Sequence, residues 1–122
     1  MTHAFSSLDE LGDGHGFRKI RAALGVEAFG VNALVLPPGY AGFAHYHDIQ
    51  DELYFVHRGT IRVECEGETR DLQEGGLFHA TSTTHRTVSN PFDDDAIVFV
   101  VGGKGGYVER DGQPVDPTAP RH

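Results

Sequence analysis

At 122 residues, with a formal net charge of −8, the chain has the size of one domain and lacks the clustered Lys and Arg that a phosphate-tracking groove requires. Nucleic acid is therefore excluded as an expected partner. Cys65 is the only cysteine, so neither an internal disulfide nor a thiolate metal site can form within one chain, and a reduced, cytoplasmic setting is expected.

The N-terminal stretch "MTHAFSSLDELGDGHGFRK" has no apolar h-region, and no apolar run approaches the roughly 20 residues of a membrane helix. A soluble, unprocessed chain with no membrane partner is the expectation. Residues 1–16 are polar and glycine-rich and read as an irregular arm. In the next segment, "FRKIRAALG" stays open between helix and strand, whereas "VEAFGVNALVLPPG" ends a β-branched, apolar run at a Pro-Pro-Gly turn and predicts a strand.

Further short strands follow, each bounded by turn residues: "ELYFVHR", "TIRVECE", "TRDL", "LFHAT", "HRTVS" and "AIVFVVGG". Many short strands at even spacing, with no convincing amphipathic helix between them, predict an all-β antiparallel sandwich or barrel over residues 17–108. Residues 109–122, "ERDGQPVDPTAPRH", are polar and proline-rich and are expected to form an irregular tail.

Chemistry concentrates in "HYHDIQDELYFVHRG", residues 45–59. Strand residues two apart share a face, so His45 and His47 can present both imidazoles to one interior space while Tyr46 points away. Glu52 opens the next strand, and a tight connection can return its carboxylate to the two rings. Two imidazoles and one carboxylate on one face form the facial triad that binds divalent first-row metals and leaves positions open for oxygen or substrate. Taken singly, an H-x-H pair also suits a surface strand, and Asp48, Asp51 and Glu52 also suit a solvated turn.

Together, Gly39, His45, His47, Glu52 and Gly59 spell G-x5-H-x-H-x4-E-x6-G without a gap. That string resembles the first motif of the cupin superfamily. The resemblance implies a jelly-roll barrel with these two histidines and the glutamate as metal ligands near one mouth. The family's second motif, G-x5-P-x-G-x2-H-x3-N, supplies a fourth ligand histidine. Here "GGLFHATSTTHRTVSN" occupies its place, and the resemblance implies His85 as that ligand. In that register Ala80 stands for the proline, Ser82 for the second glycine, and Asn90 comes one position late behind Ser89.

A shell of imidazoles and one carboxylate suits Fe, Mn, Ni, Zn or Co more than calcium or magnesium. Strand alternation turns Tyr54 and Val56 inward with Glu52, making Tyr54 a candidate catalytic group that hydrogen-bonds substrate or a metal-bound water, and turns Leu53, Phe55 and His57 outward. The same count from His85 turns Thr87 and Ser89 inward and Arg86 away. Arg62 has either parity, depending on a bulge near Gly59. Phe43 and Phe78 fit the apolar wall of a pocket, and His79 lies near the mouth.

Cupins host many activities, so fold does not select one. The expected function is a metal-dependent enzyme on a small organic molecule, foremost an iron-type dioxygenase. A metal-dependent lyase or isomerase and a non-catalytic binding module are the alternatives. A homodimer is expected, since open sheet edges need protection and cupins pair them; Phe5, Leu8 and Leu11 of the arm are placed to cross onto the partner.

Overall fold

The computed structural model describes residues 2–109 and 111–116. Among the described residues, ten strands and one short helix follow one another: β1 (Gly16–Arg18), α1 (Ile20–Leu24), β2 (Gly30–Leu36), β3 (His45–His47), β4 (Asp51–Arg58), β5 (Ile61–Cys65), β6 (Glu68–Leu72), β7 (Leu77–Ala80), β8 (Arg86–Ser89), β9 (Ala96–Gly103) and β10 (Gly112–Pro114). They build two five-stranded sheets, ordered β1-β2-β9-β4-β7 and β10-β3-β8-β5-β6. Every strand pairing is antiparallel.

Alternation along each strand assigns the core. In β4, Glu52, Tyr54 and Val56 are buried, while Leu53, Phe55 and His57 are exposed, as the period of two requires. Between the sheets, Leu36, Tyr54, Val56, Ile61, Val63, Val88, Ala96 and Val98 pack into one cluster. The bulge falls between Val56 and Arg58, just before Gly59. Gly59 has φ 76°, and a Cβ there would collide with the Asp95 carbonyl oxygen, so only glycine fits this close approach.

"FRKIRAALG" divides: Phe17 and Arg18 pair with Leu34 and Ala33, and the helix begins two residues later. The N-terminal arm is tied down by Arg18, whose guanidinium donates to the carbonyls of Leu8 and Gly14. Within the segment expected as an irregular tail, Gly112–Pro114 pair with His47, Tyr46 and His45. This strand seals the open side of β3 and so borders the candidate site. The last six residues, His122 among them, lie outside the described residues, as does Arg110.

Candidate metal centre

The site sits where the two sheets face each other across one end of the barrel. β3 of one sheet supplies His45 and His47, and β4 of the other supplies Glu52. Their ligating atoms lie within 4.8 Å of one another. His47 and Glu52 are buried and His45 is partly so.

His47 is held from behind. The Nδ1 of His47 lies 2.8 Å from Asp111 Oδ1, which turns Nε2 toward Glu52 Oε1 at 3.1 Å. The other Asp111 oxygen accepts the backbone N–H groups of Ile49 and Gln50 at 2.7 and 2.8 Å, fixing the connection between β3 and β4. Gly112, opposite His47 in the ladder, leaves room for the ring, since a Cβ would stand 3.2 Å from Cε1. A carboxylate behind an imidazole fixes its tautomer and raises its basicity as a ligand. The donor set and its support thus fit a divalent first-row metal.

Tyr54 lies two residues along β4 on the same face. Its hydroxyl donates to Glu52 Oε1 at 2.5 Å and stands 3.3 Å from His45 Nε2. Its ring packs on Phe78, with centroids 5.4 Å apart. Tyr54 and Phe43 line a cavity of about 580 Å³ together with Phe17, Leu34, Tyr40 and Val100, whereas Phe78, the other residue expected in the pocket wall, is not among the lining residues. The three candidate ligands line the same cavity, which is mainly apolar with Asn32, Gln50, Asp111 and Gln113 as its other polar lining.

The structure does not bring His85 to this cluster. His85 is exposed, and its ring stacks on Tyr46 on the outer face at 5.0 Å. The inward place goes to Arg86, the residue expected to face away, and Thr87 and Ser89 lose the inward parity assigned to them. The reason is register: β8 pairs Arg86 with Cys65 and Val88 with Val63, so Arg86 and Val88 turn inward. Asn90 anchors that register from full burial. Its amide donates to the carbonyls of Leu36 and Asp94, and its backbone N–H donates to Tyr40.

Shifting the second motif by one residue puts Gly75 at its first glycine and Asn90 at its asparagine, with Arg86 at the ligand histidine. The late Asn90 was therefore a signal of register. Arg86 Nη2 donates to Glu52 Oε1 at 2.7 Å, and Nη1 donates to the carbonyls of Thr84 and Ser82 at 2.7 and 3.0 Å.

These contacts set the charges. Burial works against the Glu52 carboxylate, but hydrogen bonds from His45, His47 and Tyr54 outweigh it and hold the group far below the usual carboxylate range. Burial likewise opposes a charged His47, yet Glu52 and Asp111 raise the ring's pKa. Burial and the neighbouring Glu52 charge push the Tyr54 hydroxyl well above its ordinary value, so it is a neutral donor. Among the described residues, no buried side-chain nitrogen or oxygen lacks a partner.

Of the remaining candidates, His57 and His79 are exposed, and Arg62 pairs with Asp71 on the surface at 2.8 Å. Asp111 is the residue that the sequence did not reveal. Its partner His47 is 64 positions away, and the segment around it carries no strand pattern.

Comparison with known proteins places this geometry in context. The family model described as "Cupin domain" matches residues 33–102. A cupin protein from Bacteroides fragilis superposes with a TM-score of 0.73 at 22% identity, over 89% of this chain and 90% of that one. A sugar phosphate isomerase of the cupin superfamily from Silicibacter pomeroyi gives a TM-score of 0.66 at 25% identity, over 84% of this chain and 68% of that one. The DMSP lyase DddQ from Ruegeria pomeroyi gives 0.67 at 19%, over 76% of this chain and only 46% of that one. Comparison with curated proteins finds no match. No helix among the described residues is long and apolar enough to cross a membrane. With its two antiparallel sheets and a matched segment that covers more than half its length, the chain belongs to the cupin family.

Proposed function

We propose that the chain is a metal-dependent enzyme acting on a small organic molecule, with iron(II) held by His45, His47 and Glu52 and dioxygen as co-substrate. The observation that carries this reading is the convergence of two imidazoles and one carboxylate on the wall of an apolar cavity. That donor set supports oxygen chemistry because it leaves several coordination positions open. When bound, the ion supplies Lewis acidity and orients a chelating substrate.

The chain's own residues do the rest. Asp111 fixes the His47 ring, and the apolar walls from Leu34, Phe43 and Val100 exclude water and receive the body of the substrate. Tyr54 presents a neutral hydroxyl beside the donors; its proton goes to Glu52, so what it offers there is an acceptor oxygen. Apoprotein loaded anaerobically with iron(II) and offered catechols, thiols and diketones should consume oxygen with at least one of them. Uptake no faster than that of His47→Ala with every compound would refute the reading.

Tyr54 favours a second reading, an oxygen-independent lyase or isomerase. Such reactions need a group that can hold and hand on a proton, and this hydroxyl bonds Glu52 and stands 3.3 Å from His45 Nε2. The likeness to a sugar phosphate isomerase and to a lyase is in keeping with it. Turnover that persists without oxygen and falls in Tyr54→Phe would select this reading.

Both readings carry a homodimer in a reducing, cytoplasmic compartment, where Cys65 stays a free thiol. Exposed Leu53, Phe55 and Leu77 on the outer face of the first sheet offer the apolar surface for pairing.

A further inference from the structure

A cation stands where a four-ligand site would place its last donor. Arg86 enters the barrel beside the candidate ligands from β8, opposite His45 in the ladder. Its side chain is fully buried, and its ion pair with Glu52 is shielded on both sides. Every nitrogen of the guanidinium is engaged: Nη2 by Glu52, Nη1 by the carbonyls of Thr81, Ser82 and Thr84, and Nε by the Tyr54 hydroxyl at 3.5 Å. The group cannot swing out to admit a metal without giving up its contacts to three carbonyls and to Glu52, and a guanidinium does not lose its charge in proteins.

We propose that Arg86 is a positioning residue that holds Glu52 and lowers the affinity of the site for a divalent ion, making it a three-donor centre whose metal exchanges readily. This rests on the reading of His45, His47 and Glu52 as metal ligands.

Two effects act in the same direction. Two neutral imidazoles and an unpaired carboxylate would leave a divalent ion with one net positive charge, whereas Arg86 offsets the carboxylate and leaves two. Solvent and salt screen this added repulsion poorly at a buried position. The guanidinium also supplies no lone pair, so one protein ligand is missing relative to a histidine at the same place. In exchange, Glu52 is held in one orientation by Arg86 and Tyr54, which keeps the three donors together.

The test uses the full chain, stripped with chelator and titrated with cobalt(II), followed by visible absorption and equilibrium dialysis. Arg86→His should bind at least about tenfold more tightly than wild type, with a changed ligand-field spectrum as a fourth protein donor joins. Arg86→Gln, neutral and still able to donate, should also bind more tightly, and Arg86→Lys, which keeps the charge, should stay close to wild type. Circular dichroism checks each fold, and if Arg86→His does not fold, Arg86→Gln decides.

Equal or weaker binding by the His and Gln variants overturns the role of Arg86. If wild type already binds as tightly as Arg86→His, that role falls and the metal-dependent reading stands. If wild type takes up no cobalt while Arg86→His does, the role stands and the metal-dependent reading falls. Binding by none of the proteins overturns both.

Discussion

Arg86 and Glu52 form a buried ion pair, Nη2 to Oε1 at 2.7 Å, that joins the two sheets of the barrel at the candidate metal centre. Removing one partner of such a pair leaves the other charge buried and uncompensated, which costs about 3–5 kcal/mol. Glu52→Ala should therefore lower the unfolding free energy of the metal-free protein by about that amount in a urea titration. A loss below about 1 kcal/mol would show that Arg86 finds another partner or water.

His85 supplies the contrasting case. Its exposed ring touches Tyr46 on the outer face, away from the cluster. His85→Ala should change stability by no more than about 0.5 kcal/mol and leave metal affinity unaltered. A substantial drop in affinity would mean that His85 does reach the ion, as the unshifted motif implies.

Asp111 holds His47 through one oxygen and two backbone N–H groups through the other. Asp111→Asn keeps the size of the side chain but removes the charge behind the ring. Metal affinity should fall by about 10–100-fold, as measured by competition with a chromogenic chelator. An unchanged affinity would make Asp111 a brace for the loop alone.

Leu53, Phe55 and Leu77 are exposed on adjacent positions of β4 and β7, with Phe55 directly opposite Leu77. Light scattering of the wild-type chain should give a dimer. The double variant Leu53→Glu, Leu77→Glu should give a folded monomer, because two buried carboxylates cannot be accommodated at an apolar interface. A monomeric wild type would remove the dimer from the account.

The sequence disclosed most where periodicity and spacing act locally. β4 keeps a period of two from Glu52 to His57, so the burial of Glu52, Tyr54 and Val56 was legible from alternation alone. His45 and His47 reach Glu52 across a short connection, which made that trio legible too. In β8 the alternation was equally clear, but its phase depends on one anchoring residue. Counting from His85 inverts every side chain, whereas counting from Asn90 gives the observed face. The β10 strand and Asp111 were hidden because a three-residue edge strand of Gly, Gln and Pro has no propensity to announce it. Its place is fixed by distant partners, β3 and the connection that follows it.

The central claim is that His45, His47 and Glu52 bind one divalent metal. The most direct test is anaerobic equilibrium dialysis of the chelator-stripped chain against iron(II), beside His47→Ala, with metal per chain read by plasma mass spectrometry. The account predicts saturation at one ion per chain in wild type and its loss in the variant. No saturable uptake by wild type, or equal uptake by both proteins, would contradict it.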